Sequence, residues 1–269
     1  MSVSNPPKAF LTDVFGTVVD WRATVTTHLT KSAEEVLNSS ARSLPSATRA
    51  AASIVSWPDF AQAWRNTYYH FTRSYTPSAT VPFKSVDQHH LDSLIKLLSD
   101  HGISDLFTET EIHKLSLIWH FLDPWPDSSA GLGQLNDQGF ITATLSNGNT
   151  SLLEDLAKHG SLPYTHIVSA EDFGAYKPHP DVYLGAAKKL GFKPEECCLV
   201  AAHLGDLKAA KGCGYQACYI ERKQEEGWPP EKAEEAKKEG WVDMWITVEE
   251  EGFKEVARRF AGRDKGVKL

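Results

Sequence analysis

The 269-residue chain has few cysteines, and their spacing fits neither a zinc site nor a disulfide framework. All four lie in one short C-terminal region, and no two form a CxxC pair: Cys197, Cys198, Cys213 and Cys218. Structural zinc sites typically use closely spaced cysteine or histidine pairs, so we do not expect such a site. The adjacent Cys197 and Cys198 would lie on opposite faces of a strand, which suits packing better than a disulfide. We therefore expect reduced thiols and a cytoplasmic protein.

The chain also lacks long apolar runs and clusters of basic residues. No apolar stretch reaches the roughly 20 residues that a transmembrane helix needs. The first ten residues lack the basic-then-apolar pattern of a signal peptide. A formal net charge of -7 without a Lys/Arg cluster argues against a nucleic-acid partner. We expect a small-molecule partner, and an anionic one would need positive charge at its own site because the net charge repels it.

What the chain does contain is a change of hydrophobic period along its length. Residues 21–125 place apolar residues at helical spacing and show no strand pattern. Beyond residue 126, helical segments alternate with segments of strand character. After a first strand that ends at Asp13, strands are predicted at 140–145, 166–168, 198–202, 217–220 and 244–248. The charged stretch 222–240 is interpreted as a solvated loop or a surface helix.

Strands that alternate with helices predict an α/β fold with a parallel sheet covered by helices. We predict a Rossmann-like core domain built from residues 1–20 and 126–269. The helical segment 21–125 is then a cap domain inserted just after the first strand. A cap beside the carboxyl edge of the sheet can close over a substrate and exclude water.

Polar residues stand at four predicted exits from this sheet. They are Asp13, then Ser146-Asn147, then Lys177 before a proline, then His203 with Asp206. Each has a plain structural interpretation as a turn residue, a surface lysine or a helix cap. Parallel strands bring their carboxyl ends to one edge, where open α/β sheets bind ligands. A carboxylate such as Asp13 can act there as a nucleophile.

The ordered set of segments LTDVFGT, TLSNG, YKP and VAAHLGD resembles the four motifs of the haloacid dehalogenase superfamily. The helical segment also lies where that superfamily places its cap. Phosphatases of the superfamily usually carry a second aspartate two residues after the nucleophile, which protonates the leaving group and helps to hold Mg²⁺. This sequence has Phe15 there, which is similar to the 2-haloacid dehalogenases. Trp64-Arg65 with nearby tyrosines and Tyr176-Lys177-Pro178 also resemble that subgroup.

The resemblance implies hydrolysis of 2-haloalkanoic acids, such as haloacetate and 2-halopropionate, to 2-hydroxy acids without a cofactor or metal. Asp13 would displace the halide and form an ester, which water then hydrolyses. Lys177 would keep Asp13 ionised, and Asp206 would orient or activate the water. His203 stands where the family usually has a water-binding side chain, and it is predicted to act as a neutral base in the second step.

The substrate contacts that the resemblance implies come from both parts of the chain. Arg65 would receive the halide, beside a pocket wall that includes Phe15. Ser146 and Asn147 would bind the substrate carboxylate. Tyr183 would hydrogen-bond around Lys177 and Asp13, whereas Arg22 would help with the anion or pair with Asp20. The tryptophans are interpreted as cap core: Trp57, Trp64, Trp119 and Trp125.

Two other functions stay open at this point. A Mg²⁺-dependent phosphatase of a small phosphorylated metabolite would keep the nucleophile but must explain Phe15. A binding protein without activity would be expected to lose Asp13 or Lys177, and the sequence keeps both. Neither nucleic acid nor membrane is expected as a partner, and a homodimer is left open.

Overall fold

The core is a five-stranded parallel sheet. The computed structural model describes residues 6–77, 80 and 82–261. Its strands are β1 (Ala9–Thr12), β2 (Ile141–Thr144), β3 (Cys197–Ala201), β4 (Gln216–Ile220) and β5 (Met244–Ile246). They are hydrogen-bonded in the order β2-β1-β3-β4-β5, and every pair is parallel. The predicted α/β fold is therefore confirmed.

Strand β1 lies inside the sheet and is fully buried, which fits its apolar sequence Ala-Phe-Leu-Thr. The next strand in the chain, β2, pairs with one side of β1, whereas β3 pairs with the other side. The strand order therefore reverses at β1. Loops leave in opposite directions at such a point and open a crevice at the carboxyl edge, which is where Asp13 stands.

The described part of residues 21–125 contains helices and no β-strand. The helices are α1 (Trp21–Asn38), α2 (Ser46–Ala52), α3 (Trp57–Ser74), α4 (Val86–Asp100) and α5 (Glu109–Ser116), and a 3-10 turn over Leu117–Phe121 follows. Side-chain capping fixes where two of these helices begin. The Asp20 side chain accepts the Ala23 N–H at the start of α1, and Thr108 forms a capping box with Glu111 at the start of α5. The division into a cap domain and a core domain stays a prediction.

In the part of the chain that the structure describes, six further α-helices accompany the sheet. They are α6 (Ser128–Asp137), α7 (Thr150–His159), α8 (Pro180–Lys189), α9 (Leu204–Gly212), α10 (Pro230–Glu239) and α11 (Gly252–Phe260). Helix α10 confirms a helix within 222–240, but the stretch before it is not simply solvated, because Glu225 is buried. Helices α6 and α11 are not among the predicted elements.

The predicted strand at 166–168 is wrong, since only an isolated bridge joins His166 to Ala143. The Thr144 side chain takes the place of the backbone ladder there. Its hydroxyl oxygen accepts the Val168 N–H at 2.8 Å and its hydroxyl donates to the Val168 carbonyl at 2.9 Å. Among the described residues, no helix combines the length and apolar character needed to cross a membrane.

Candidate active site

The loop after β1 presents Asp13 at the carboxyl edge of the sheet. The Asp13 N–H donates to the Val200 carbonyl at 3.0 Å, which extends the pairing of β1 with β3 by one residue. Gly16 then turns the chain with φ of 84°, a conformation that favours glycine. The Gly16 N–H donates to the Val19 carbonyl at 3.0 Å and closes the loop. This short loop fixes the direction of the Asp13 carboxylate.

The Asp13 carboxylate is 7% exposed and has hydrogen-bond partners on both oxygens. Lys177 Nζ donates to Oδ1 at 2.9 Å, and Thr17 Oγ1 donates to Oδ2 at 2.8 Å. His203 Nδ1 lies 3.1 Å from Oδ2. Burial alone raises the pKa of Asp13, but Lys177 and His203 outweigh it and hold this pKa well below its usual range. Asp13 is therefore ionised, as a nucleophile must be.

Lys177 lies between two carboxylates. Its Nζ contacts Asp13 Oδ1 and, at 2.5 Å, Asp206 Oδ2. Burial lowers the pKa of Lys177, but the two carboxylates raise it above its usual value, so the side chain stays an ammonium. The Tyr183 hydroxyl donates to the other Asp206 oxygen at 2.6 Å. Both oxygens of Asp206 therefore accept short hydrogen bonds, and Tyr183 contacts Asp206 rather than Asp13 as predicted.

Ser146 and Asn147 follow β2 and lie in the same edge of the sheet, where both are buried. The Asn147 amide holds the main chain of Lys177: Oδ1 accepts the Lys177 N–H at 2.7 Å, and Nδ2 donates to the Lys177 carbonyl at 3.4 Å. The Ser146 hydroxyl oxygen accepts the Gly148 N–H at 3.2 Å. In this arrangement the Asn147 side chain positions Lys177, which differs from the carboxylate contact that the resemblance implied. Substrate binding by Ser146 stays a prediction.

Arg65 reaches the site from helix α3 and is 2% exposed. Its guanidinium carbon lies 4.5 Å from the ring centroids of Tyr68 and Tyr69 and 5.2 Å from that of Phe15. Nη2 donates to Tyr69 Oη at 3.2 Å and to the Phe15 carbonyl at 3.5 Å. Nε and Nη1 are buried, and neither has a hydrogen-bond partner in the described part of the chain. A buried cation with two unsatisfied N–H donors favours an anion beside it.

Aromatic rings surround this guanidinium. Phe15 packs edge-on against Tyr68 and Trp119, with centroid distances of 5.9 and 6.0 Å. Trp64 and Trp119 are fully buried, and Trp57 is also buried. Trp125 differs, because it is half-buried and its Nε1 donates to the Gly16 carbonyl at 3.1 Å.

Among the described residues Arg22 hydrogen-bonds to none of these side chains, and it reaches them only by lying over the Trp21 ring, 4.5 Å from its centroid. Its Nη1 donates to Gln62 Oε1 at 2.5 Å, and its Nη2 donates to the Gln224 carbonyl at 3.2 Å. Its predicted alternative partner, Asp20, caps helix α1 instead. Arg22 therefore links α1 to α3 and to the loop after β4, and a direct role in anion binding is not supported.

His203 is at the position predicted for it. Nδ1 faces Asp13, and Nε2 lies 3.6 Å from Glu225 Oε2. Burial alone lowers the pKa of His203, but Tyr69, Asp13 and Glu225 together raise it well above its usual value. These surroundings favour the imidazolium while Asp13 is a carboxylate, whereas a neutral base in the second step, when Asp13 is an ester, stays a prediction.

Glu225 is the site residue that the sequence did not indicate. It comes from the loop between β4 and α10 and is 7% exposed. The Trp21 Nε1–H donates to its Oε2 at 3.0 Å. A Cβ atom on Gly16 would lie 1.9 Å from the same oxygen, so this carboxylate packs directly on the loop that follows Asp13. In the sequence Glu225 is one acid in a charged run, which gave no signal of burial.

The donor set does not suit the Mg²⁺ ion of the phosphatase alternative. The Phe15 side chain offers no oxygen where that chemistry uses a second aspartate. Of the other carboxylates, Asp13 and Asp206 already share the Lys177 ammonium, and Glu225 faces Trp21 and His203. In the described residues no group of three or more His, Cys, Asp or Glu side chains could hold a metal ion.

Comparison with known proteins agrees with this geometry. A family model described as haloacid dehalogenase-like hydrolase matches residues 7–214. The chain belongs to the haloacid dehalogenase superfamily. An L-2-haloacid dehalogenase of known structure has a TM-score of 0.75 and 31% identity, over 95% of this chain and 100% of that one. A defluorinating L-2-haloacid dehalogenase gives the same TM-score and identity, over 94% of each chain.

Curated relatives match over a shorter stretch. (S)-2-haloacid dehalogenase 1 of Pseudomonas sp. (strain CBS-3) is 35% identical over 106 residues. That alignment covers 39% of this chain and 47% of the relative, so the match spans about half the length of this relative. The predicted likeness to the 2-haloacid dehalogenases within the superfamily is confirmed by these relatives.

Proposed function

We propose that this chain is a 2-haloacid dehalogenase that converts 2-haloalkanoic acids to 2-hydroxy acids through an ester on Asp13. The observation that carries the proposal is a buried Asp13 with Phe15, rather than an acid, two residues after it. Arg65 packs against that ring, with its guanidinium carbon 5.2 Å from the Phe15 centroid. A halide leaves without a proton, so Phe15 in place of an acid is no obstacle to this reaction.

In the first step an Asp13 oxygen attacks C2 of the substrate and the carbon–halogen bond breaks. Negative charge develops on the departing halogen. The Nε–H and Nη1–H groups of Arg65 are the donors that can receive it, because they have no other partner in the described residues. The rings of Phe15, Tyr68 and Trp119 exclude water around this charge and so strengthen its attraction to the guanidinium.

In the second step water attacks the carboxyl carbon of the Asp13 ester, and the hydroxy acid leaves. Lys177 Nζ donates to one Asp13 oxygen and Thr17 Oγ1 to the other, so once one oxygen is bonded to C2 the donor on the other is in place to stabilise the oxyanion of the tetrahedral intermediate. Asp206 supports this step by holding Lys177. The proposed residues need neither a cofactor nor a metal for either step.

Halide release tests this function. We expect the protein to release halide from 2-chloropropionate and from a haloacetate in the presence of EDTA, and Asp13→Asn to lose this activity by three decades or more. A panel of phosphate esters with Mg²⁺ is the parallel assay. Phosphate release that requires Mg²⁺, without any halide release, would favour the phosphatase instead. A cytoplasmic location, a separately moving cap and a homodimer remain further parts of the proposal.

A further inference from the structure

The second step needs a base, and Asp206 is poorly placed to be that base. One of its oxygens accepts from Lys177 at 2.5 Å and the other accepts from Tyr183 at 2.6 Å. Both of its oxygens therefore already accept a hydrogen bond from a side chain. His203 is the other titratable side chain beside Asp13, with Nδ1 at 3.1 Å from Oδ2.

Ester formation changes the surroundings of His203. In the free protein Nδ1 faces the negative charge of Asp13, but an Asp13 ester has no charge. The imidazolium then loses one of the two carboxylates that stabilise it and keeps only Glu225, at 3.6 Å from Nε2. Nδ1 can therefore give up its proton at this stage, and it already lies beside the carbon that water must attack.

We propose that Glu225 is a positioning residue whose carboxylate, 3.6 Å from Nε2 of His203, orients the ring and so presents Nδ1 as the base for hydrolysis of the Asp13 ester. This inference rests on the proposed function. Glu225 acts through His203 and does not touch the substrate. The arrangement is a histidine oriented by a buried acid, which is how acyl-transfer enzymes fix the tautomer of a catalytic histidine.

The protons balance over one turnover. Asp13 attack releases the halide, and the His203 imidazolium then loses its Nδ1 proton to solvent. Water attacks the ester carbon as Nδ1 takes one of its protons. The tetrahedral intermediate then breaks its bond to the oxygen that C2 carries, and this oxygen takes the proton from Nδ1 to give the hydroxy acid. Asp13 is left protonated and passes its proton to Nδ1, which restores the resting ion pair. The sum is one halide, one proton and one hydroxy acid for each halo acid and water.

Glu225 is built firmly into this position. The Trp21 indole donates to its Oε2 at 3.0 Å, and Gly16 leaves the space that the carboxylate fills. The loop that carries it is fixed by Arg222, which donates to both oxygens of Asp127 at 2.8 Å and to the Thr17 carbonyl at 3.1 Å. The loop after β4 is therefore tied to the Asp13 loop by Arg222, three residues before Glu225.

Charged and titratable groups act on His203 from three elements. Asp13 faces it from the end of β1, Glu225 from the loop after β4, and Tyr69 from helix α3. Only the charge of Asp13 is removed when the ester forms. Of the two that stay, Glu225 is the buried carboxylate on the far ring nitrogen, so its charge sets the proton affinity of Nδ1 in the ester.

The decisive variant is Glu225→Gln, which keeps the shape and an acceptor for Trp21 but removes the charge. Single turnovers with 2-chloropropionate separate the first halide release from ester hydrolysis, which intact-protein mass follows as loss of the adduct on Asp13. We expect halide release within about twofold of the wild type. In the wild type the rate of ester hydrolysis should rise with pH as His203 loses its proton. In Glu225→Gln the inflection of this pH profile should move to lower pH by about one unit, and the rate on the plateau should be about tenfold below that of the wild type.

Glu226→Gln is the matched control, because Glu226 lies in the same loop but contacts the Leu204 and Trp228 N–H groups at 2.8 and 2.7 Å. Glu226→Gln should leave the inflection at its wild-type pH. Glu225→Asp, which keeps the charge, should have an inflection close to the wild-type pH. An inflection that Glu225→Gln does not move, or that Glu226→Gln moves equally, would overturn the inference. A purely structural Glu225 would alter stability without moving this inflection.

A measurement on the wild type covers the case in which Glu225→Gln does not fold. At a pH on the plateau, a pH indicator should report one proton released together with the first halide and before the hydroxy acid forms. Proton release that instead follows hydroxy acid formation would overturn the inference. If the wild type releases no halide at all, the proposed function fails and this inference fails with it; halide release with an unmoved inflection rejects the role of Glu225 alone.

Discussion

At the scale of single residues, Arg65 shows how an aromatic pocket can hold a cation without a carboxylate in contact with it. Burial lowers the pKa of Arg65, but Tyr69, Tyr68, Glu225 and Asp13 raise it above its usual value. The guanidinium is thus charged while two of its N–H groups lack partners in the described chain. This arrangement has an unsatisfied charge that a departing halide can neutralise.

We expect Arg65→Ala to reduce kcat for chloro and bromo acids by two to three decades, because a charge-assisted contact made to the leaving group is worth about 2–4 kcal/mol. Arg22→Ala is the matched control, since Arg22 also lies over Trp21 but contacts Gln62 and Gln224. It should change kcat less than threefold. Steady-state halide release measures both variants, and near wild-type turnover in Arg65→Ala would contradict the role.

The sequence predicted some of these residues and missed others for a physical reason. Asp13, Lys177 and Asp206 follow or precede regular elements in an order that resembles known motifs, so topology alone brings them together. Glu225 is placed by the path of an irregular loop, which hydrophobic periodicity does not describe. The charge of His203 likewise depends on two carboxylates far apart in the chain, so only the folded structure reveals that it is protonated.

At the scale of elements, the contact between α6 and α11 depends on Gly131. A Cβ atom there would lie 2.4 Å from the backbone carbon of Phe253 in α11. We expect Gly131→Ala to lower the free energy of unfolding by about 1–3 kcal/mol, because two backbones must separate to accept the methyl group. Denaturant unfolding followed by far-UV circular dichroism measures the change.

Gly133 provides the comparison within the same helix. Its added Cβ would meet only Pro163, with the nearest atom at 3.9 Å. Gly133→Ala should therefore raise the free energy of unfolding by up to about 1 kcal/mol, since alanine favours the helix. Equal destabilisation by both substitutions would show that the close approach at Gly131 is not the cause.

These two elements also explain part of what the sequence did not predict. Helix α6 contains Gly131 and Gly133, which lower its helix propensity, and it forms because it packs against α11. The segment 166–168 has strand residues, yet the hydroxyl of Thr144 satisfies the Val168 backbone in place of a ladder. In both cases long-range packing overrides the local preference of the segment. Strand β1 and its neighbours β2 and β3, in contrast, form where their sequences predict strands.

His120 joins the helical segment to the core. Its Nε2 lies 3.1 Å from Asp87 in α4, and its Nδ1 lies 2.8 Å from Asp155 in α7. Burial lowers the pKa of His120, but hydrogen bonds to these two carboxylates raise it above its usual value. The unfolded chain has a pKa of about 6.5 at this residue. The added stability is therefore complete below that pH and is lost as the pH rises through the higher pKa of the folded state.

We therefore expect the wild type to have a larger free energy of unfolding than His120→Gln. This difference should be greatest near pH 6 and should shrink progressively toward pH 9. His70→Gln is the control, because His70 is exposed on α3. Urea unfolding at each pH gives both differences. A difference for His120→Gln that grows with pH would have the wrong sign and would contradict the ion pairs.

At the scale of the whole molecule, a chain with a net charge of -7 groups three side chains that can carry positive charge, Lys177, His203 and Arg65, with the carboxylates Asp13, Asp206 and Glu225. Lys177 and His203 lie against the nucleophile, and Arg65 lies in the aromatic wall beside it. The sheet supplies the nucleophile and the helical segment supplies the guanidinium, so the proposed reaction needs both parts of the chain. Direct attack by Asp13 is the feature of this arrangement that can be tested most sharply.

Two routes can hydrolyse a carbon–halogen bond at this site. Asp13 can attack C2 itself, or it can act as a base for a water molecule that attacks C2. The surroundings of Asp13 favour direct attack, since the contacts of Lys177, Thr17 and His203 hold its pKa well below its usual range and make it a weak base. Each route has one displacement at C2, so both invert the configuration and stereochemistry does not separate them.

Oxygen-18 water separates the two routes. With enzyme in excess over substrate, direct attack should give a first-turnover hydroxy acid without label, because its new oxygen comes from Asp13. Repeated turnovers should then place label in the Asp13 carboxylate, which peptide mass spectrometry detects, and a digest of protein kept in labelled water without substrate is the control. Label in the product from the first turnover, with none in Asp13, would show that Asp13 acts as a base and would reject the ester intermediate.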